Sequence, residues 1–491
     1  MLKKNWLIIL ILVAALFLRV YRIPQVLGFY FDQGRDALVI WDLIHLHKFF
    51  LIGPTTGLAG IFRGPYYYYL IAPFYFLGGG NPVVPVDFLA LTSVIAIYLM
   101  YLLASKIQDK TSGIIAAVIA GFSFYIVLAG RWLSNPTPML ILSMILVYSM
   151  FRIAKTNKRK DAQIWWAIIS AVAGLSLFNF GSSGEFFYFP ALFIFVIWQR
   201  RKFPTLKYLL ISGFVFFLTF APLVLFDLKH DHILLHNLFS TFGGDGGSFK
   251  LPTQSFMAER TRSYYDIFTN KLFDAREKPE IIVMVIAAIF FLINLPKLIK
   301  NDGYKIIILL LISPIIGLYF YQGNYGVLYD YYLTGYYLIF ILFYGLIFGK
   351  IWKANIVGKL FIVYFLYLFF SGNLPIIWSK INDNCTGNGT ICFANEKTAI
   401  NWIYDNSAGQ KFNVDIYVPP QIPYAYNYIL TWRSNPNNVT ENVPLLYTLY
   451  EVDDQHPSIL NDWLKRQNGI GKIEAVYSTG GITVQRRIRN D

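Results

Sequence analysis

The 491-residue chain is long enough for several soluble domains, but 56% of it is hydrophobic, 18% aromatic and only 14% charged. Soluble proteins carry roughly 25% charged residues, so most of this chain is built to face lipid. The net charge of +14 does not point to nucleic acid: residues 379–491 hold 10 Lys+Arg against 11 Asp+Glu, which leaves 32 bases and 17 acids in the first 378 residues.

Apolar runs of membrane-spanning length lie near 5–21, 83–105, 112–128, 139–154, 164–180, 186–199, 208–225, 280–298, 305–321, 335–349 and 357–378, predicting an α-helical polytopic protein of about eleven transmembrane helices. With the N-terminus inside, the inner loops collect 19 bases, from Lys3 and Lys4 to Lys359, against three acids. The outer loops of the same region hold 13 bases and 14 acids. The positive-inside rule selects this orientation, so the N-terminus is expected in the cytoplasm of a multi-pass cell-membrane protein. No small-residue cleavage site follows Phe17-Leu18-Arg19-Val20, and the first span reads as a retained helix. Arg19 and Arg22, at its outer end, are read as contacts to an anionic headgroup or as interfacial anchors.

Two outer loops are long, 22–82 and 226–279, and function is expected there. In the first, Asp36 to Phe50 has apolar residues at helical spacing and Pro65 to Leu77 is strongly aromatic, which predicts two surface helices joined through Gly53-Pro54-Thr55-Thr56-Gly57. The second contains Gly243-Gly244-Asp245-Gly246-Gly247, a linker or a lid. Residues 1–378 form the membrane domain, and 379–491 are expected to fold as a small extracytoplasmic α/β domain. Its helices are predicted over 395–407 and 422–432, and its strands over 412–418, 472–478 and 482–488. Cys385 and Cys392, the only cysteines, are read as a disulfide closing a short loop in an oxidising compartment. Asn384, Asn388 and Asn438 match glycosylation sequons that chance alone also supplies in an Asn-rich segment.

Candidate chemistry begins at Asp32, in Phe29-Tyr30-Phe31-Asp32-Gln33-Gly34-Arg35-Asp36. On a helix, Asp32, Arg35 and Asp36 share one face, which gathers two carboxylates and a guanidinium at the membrane surface. Asp32 reads equally as a base or as the helix N-cap. Arg63 stands before Gly64-Pro65 and Tyr66, Tyr67, Tyr68 and Tyr69, a cation beside rings that suits a phosphorylated lipid or a sugar, or an aromatic belt with a snorkelling arginine. Arg131 and Asn135 occupy the next short outer loop and Glu185 the one after, where a buried acid is solvated, paired or functional. Asp227, Lys229, His230, Asp231 and His232 match no metal motif, and no metal site is expected. Tyr325, Tyr329, Asp330, Tyr331 and Tyr332 set rings beside an acid, as sugar sites and aromatic belts both do.

The run of a first span, an outer Asp, an amphipathic helix, a cation-Gly-Pro-aromatic stretch and a glycine turn resembles the C-fold membrane glycosyltransferases. The likeness is narrower to the family 39-like branch of protein O-mannosyltransferases and lipid A aminoarabinose transferases. Their outer Asp-Glu pair and Lys-Pro-Pro-aromatic segment correspond here to Asp32-Gln33 and Arg63-Gly64-Pro65-Tyr66. Gln33 and Asn135 stand where relatives carry acids, so a two-carboxylate mechanism does not carry over. The resemblance implies inverting transfer of a sugar from a polyprenyl-phosphate carrier to a glycan, lipid or protein acceptor, with Asp32 as base. Arg63, with Arg131 or Arg262, would steady the lipid phosphate, and no cofactor is required. Arg35, Asp36, Tyr66, Tyr67, Glu185, Tyr329 and Asp330 complete the expected substrate site. The competing readings are a transporter or flippase of lipid-linked sugars, which would show repeat symmetry and charge near the midplane, and a non-catalytic scaffold.

Overall fold

In a computed structural model, which describes residues 5–57, 60–242, 248–274, 276–323, 326–385, 391–419 and 422–490, each of the expected apolar runs lies on helix. Lys3, Lys4, the glycine run 243–247, Tyr325 and the sequon residues Thr386 and Asn388 lie outside the described residues. The chain begins with α1 (Trp6–Val20), α2 (Ile23–Val26), α3 (Phe31–His45), α4 (Tyr66–Leu77), α5 (Val83–Ile107), α6 (Lys110–Phe122), α7 (Phe124–Gly130), α8 (Met139–Lys155) and α9 (Arg159–Leu175). It continues through α10 (Tyr188–Trp198), α11 (Leu206–Leu218), α12 (Ala221–Lys229), α13 (Ile233–Phe242), α14 (Gln254–Thr269), α15 (Lys278–Leu298), α16 (Asp302–Phe320), α17 (Thr334–Ala354) and α18 (Ile356–Ile381).

Among the described residues, six helices are long and apolar enough to cross a membrane singly, and eight if the bent pairs α6/α7 and α11/α12 each count as one span. Trp6–Val20 and Glu185–Trp198 are shorter apolar helices. At 1.5 Å per residue, about 15 residues reach only about 22 Å of a roughly 30 Å hydrocarbon core. The eleven runs read from the sequence are these eight together with the two shorter helices and α8, which is 17 residues long.

The bundle centre is drawn tight by small residues. Gly345 and Gly349 of α17 face Ala116 and Ser112 of α6, and a Cβ at either glycine would collide with them. Without a hydrophobic force between helices in lipid, such close backbone approach is a main source of helix association. Arg19 is not at a lipid surface but fully buried. Its guanidinium donates to the carbonyls of Ala15 (2.9 Å), Ala120 (2.9 Å) and Gly121 (3.1 Å), closing the end of α6 where the chain turns 69° into α7. Helix ends leave carbonyls without partners, and a cation suits that pole of the dipole. Arg22 bonds the Asn382 carbonyl (3.2 Å) and the Asn384 side chain (3.1 Å).

Beyond α18 the Cys385–Cys392 disulfide is formed. The terminal domain follows as α19 (Phe393–Asn406), β1 (Phe412–Tyr417), α20 (Tyr424–Arg433), β2 (Leu445–Glu451), α21 (Pro457–Ile470), β3 (Gly471–Thr479) and β4 (Ile482–Arg489). The four strands lie in the order β1-β2-β4-β3, with β1 and β2 parallel and the other pairs antiparallel. β2 and α21 were not expected: β2 is the apolar run Leu445-Leu446-Tyr447-Thr448-Leu449, buried throughout, so it shows no alternation.

This domain packs on the first outer loop. Phe29 is buried between Phe393 (5.4 Å between ring centres) and Tyr428 (5.7 Å), and Trp432 Nε1 donates to the Gly79 carbonyl at 2.7 Å. Gly34 of α3 lies so close to the Tyr424-Ala425 backbone of α20 that a side chain would strike main chain. Gly34→Val should therefore destabilise the protein by about 1–3 kcal/mol, read as earlier thermal unfolding in detergent. Gly213→Ala, with no neighbour within 4 Å of its added Cβ, should leave unfolding unchanged or slightly later.

Candidate active site

α3 begins earlier than the apolar periodicity predicts. Tyr30 holds the N-cap position, and its N–H donates to Gln33 Oε1 at 3.1 Å, one half of a capping box. Asp32 is therefore not the cap; it lies in the first turn with a side chain 65% exposed. Gln33 also donates to the Leu133 carbonyl (3.2 Å), so the residue standing where relatives carry a second acid ties α3 to the loop after α7.

The one-face geometry expected of Asp32, Arg35 and Asp36 is present. Arg35 pairs with Asp32 at 2.9 Å and with Asp36 at 2.8 Å. Asp36 is buried and also accepts from Tyr68 Oη at 3.0 Å. Burial pushes its carboxyl up to about 6, against the pull of Arg35 and Tyr68. Burial opposes the Arg35 charge, but Asp36 and then Asp32 outweigh it and hold the guanidinium above its ordinary value. Tyr67 is buried under the same helix, whereas Tyr66 turns away and donates to the Leu218 carbonyl at 2.7 Å.

Arg35 also reaches Thr55 Oγ1 (3.1 Å), in the loop that carries Arg63. That loop folds back on itself: Arg63 N donates to the Pro54 carbonyl (3.0 Å), and Gly64 N to the Phe178 carbonyl (2.7 Å). The Arg63 guanidinium, only partly buried, has one hydrogen bond among the described residues, a long one of 3.5 Å to Ser182 Oγ, and no carboxylate within ion-pair distance. Burial pulls its pKa down, with Glu185 pulling the other way. It opens on a cavity of about 630 Å³. The walls are largely apolar, among them Phe62, Leu177, Phe178, Phe186, Leu223, Leu234 and Leu238, and the lining side chains of Asp227 and His232 face each other at 3.3 Å.

Glu185 is neither solvated nor directly ion-paired. Its carboxylate accepts from Ser182 N (2.6 Å) and Gly335 N (2.7 Å), capping the start of α17. A second cavity, of about 520 Å³, lies beyond Tyr331, which lines it while Tyr332 lines the first. Tyr331 is near enough to both Asp32 and Arg63 to feel each charge. The second cavity is bordered by Tyr30, Tyr125, Trp132, Tyr337, Asp330, Asp383 and the disulfide.

Two expected arginines are not brought to Arg63. Arg131 lines the second cavity, with Nη1 donating to the carbonyls of Leu18 (2.8 Å) and Tyr21 (3.0 Å). Arg262 sits on the exposed face of α14, and its buried neighbour Arg260 bonds the Gly326 carbonyl (2.9 Å). Tyr329 is 48% exposed and stacks on Tyr331 at 5.7 Å. Lys271 escaped the sequence reading: fully buried after α14, it pairs with Asp330 at 2.7 Å and lies over the rings of Tyr125 (4.8 Å) and Tyr337 (4.2 Å). Burial lowers its pKa to about 8, against the pull of Asp330. A lone lysine in an unpatterned loop carries no sequence signal of this kind. Among the described residues, no three His, Cys, Asp or Glu side chains are grouped to hold a metal.

A family model described as dolichyl-phosphate-mannose-protein mannosyltransferase matches residues 63–226. The structure of ArnT from Cupriavidus metallidurans bound to undecaprenyl phosphate superposes with a TM-score of 0.62 at 9% identity, covering 99% of this chain and 98% of that one. The fold is that of the C-type membrane glycosyltransferases. The oligosaccharyltransferase of Archaeoglobus fulgidus, in a complex with Zn and sulfate, also matches, with a TM-score of 0.52 at 12% identity, covering 98% of this chain and 72% of that one. Among curated proteins none matches this sequence. The superposition on ArnT runs over nearly the whole chain, terminal domain included.

The raised Asp36 pKa has a measurable consequence. An unfolded chain releases this proton near 3.8 and the folded protein near 6, so this group's contribution to stability falls as pH rises through that window. Thermal unfolding of Asp36→Asn in detergent, followed from about pH 4 to pH 7, should lack that component of the wild-type slope.

Proposed function

We propose that the protein transfers a sugar from a polyprenyl-phosphate carrier to an acceptor hydroxyl on the outer face of the membrane, with inversion at the anomeric carbon. The observation that carries this is the first cavity, of about 630 Å³, with largely apolar walls and a lining arginine that has no carboxylate partner among the described residues. Such a guanidinium in a largely apolar cavity suits a single lipid phosphate, which it can bind bidentately and stabilise as charge builds on the leaving oxygen. Further support comes from the match of residues 63–226 to a mannosyltransferase family and from the ArnT fold.

Asp32 is the base. Its exposed carboxylate leads a helix held from behind by Arg35, Asp36 and Tyr68. Aspartate is too weak a base to ionise an alcohol in advance, so it accepts the proton as the acceptor oxygen attacks. One bond forms between that oxygen and the anomeric carbon. The bond from that carbon to the phosphate oxygen breaks, and its electron pair leaves with the lipid phosphate facing Arg63. Arg35 holds Asp32 in place. The scheme needs no cofactor. The excess of bases on the opposite loops sets the outer orientation.

Asp32→Asn should retain donor binding and lower turnover by roughly 10²–10⁴-fold, measured by transfer from a radiolabelled polyprenyl-phosphate sugar in proteoliposomes. Undiminished turnover would end the base assignment, and label crossing the bilayer without transfer would favour a transporter. Arg63→Ala should weaken polyprenyl-phosphate binding by about ten- to a hundredfold, and an unchanged affinity would remove Arg63 from the donor site.

A further inference from the structure

The two cavities differ in the state of their cations. In the first, Arg63 is open and lacks a carboxylate partner among the described residues. In the second, Arg131 and Lys380 line the wall, and Lys271 lies behind it, paired with the lining residue Asp330. Lys271 is fully buried and bonded to both Asp330 oxygens (2.7 and 3.0 Å) and to Asn270 Oδ1 (2.6 Å). Arg131 holds two carbonyls through Nη1, and its buried Nη2 has no hydrogen-bond partner among the described residues. Lys380, exposed at the rim, is the lining cation left among the described residues.

Besides Lys380 and the lining Trp and Tyr side chains, the polar groups available in the second cavity include the carboxylates of Asp330 and Asp383. The Asp330 side chain is 39% exposed, and its two oxygens take three hydrogen bonds, two from Lys271 and one from Tyr337 Oη (2.8 Å). A carboxylate has about four acceptor sites, so capacity is left. Asp383 is partly exposed and accepts from Cys385 N at 2.8 Å. Trp132 and Tyr331 meet edge to face at 5.8 Å, forming an aromatic corner in the wall. Carboxylates that accept from hydroxyls, beside rings that cover apolar C–H faces, are complementary to a neutral polyhydroxylated ring. A phosphate or other anion entering here would meet Asp330 and Asp383 while Lys271 was already paired with Asp330.

We propose that the second cavity binds the acceptor as a neutral sugar ring held between Trp132, Tyr331, Asp330 and Asp383, so that the transferred sugar is added to a glycan hydroxyl. This rests on the reading of Asp32 as the base of a transfer reaction, since Tyr331 lies within electrostatic range of Asp32 and lines this cavity. The acceptor class follows from the charge balance of the walls. Binding should be weak and insensitive to salt, because no net ion pair forms with the ligand.

The test is saturation-transfer NMR on the full-length protein in nanodiscs, with three separate probes: a mixture of methyl hexopyranosides and maltose, a blocked tripeptide containing threonine, and glycerol 3-phosphate. The sugars should receive saturation. The signal should disappear in Trp132→Ala and fall about tenfold in apparent affinity in Asp383→Asn, a variant that keeps an acceptor for Cys385 N. It should persist in Arg63→Ala, and thermal unfolding of each variant reports whether it is folded. A Trp132-dependent signal from the peptide or from glycerol phosphate, or no Trp132-dependent signal from any sugar, overturns the proposal. Polyprenyl-phosphate binding measured in parallel separates the two claims. If the lipid binds and sugars do not, only the acceptor assignment falls; if sugars bind and the lipid does not, the transfer reading fails.

Discussion

Arg35 is the group on which the segment between α1 and α5 is organised. Asp36 is buried under α3, where an unpaired carboxylate would cost several kcal/mol to ionise. Arg35 meets that charge at 2.8 Å and Tyr68 adds a hydrogen bond at 3.0 Å, and the other arm of the same guanidinium holds Asp32 at 2.9 Å. The exposed acid is thus oriented by the means that make the buried one tolerable. A third contact, to Thr55, carries the constraint into the loop that presents Arg63.

The terminal domain completes this arrangement. α20 lies against α3 at Gly34, and rings from α19 and α20 enclose Phe29, just before the helix starts. One side of α3 rests on the membrane domain through α4 and another on the terminal domain, while Asp32 in its first turn stays exposed. The packing of the domain makes it a support for α3.

Polar groups deep in a membrane protein must find partners inside the protein. Several residues that look functional by composition are occupied in this way. Arg19 closes the C-terminal end of α6, Glu185 caps the N-terminal end of α17, and Arg131 binds two carbonyls near the end of α1. With those charges engaged, Arg63 stands out as a cation lining a largely apolar cavity without a carboxylate partner among the described residues, while the second cavity presents carboxylates and rings.

The sequence alone determined what depends on local spacing and on hydrophobicity. The apolar runs, the face shared by Asp32, Arg35 and Asp36, the aromatic helix after Arg63 and most of the terminal elements follow from periods of 3.6 and 2 and from the exclusion of charge from lipid. The tertiary structure decided which charges are free. Arg19, Arg63, Arg131 and Arg262 are chemically alike in the sequence, and only the carbonyls, carboxylates and solvent brought to each by distant segments separate a structural arginine from one open to a phosphate. Lys271 and β2 were illegible for the same reason: one is defined by an acid 59 residues away and the other by burial on both faces of a sheet.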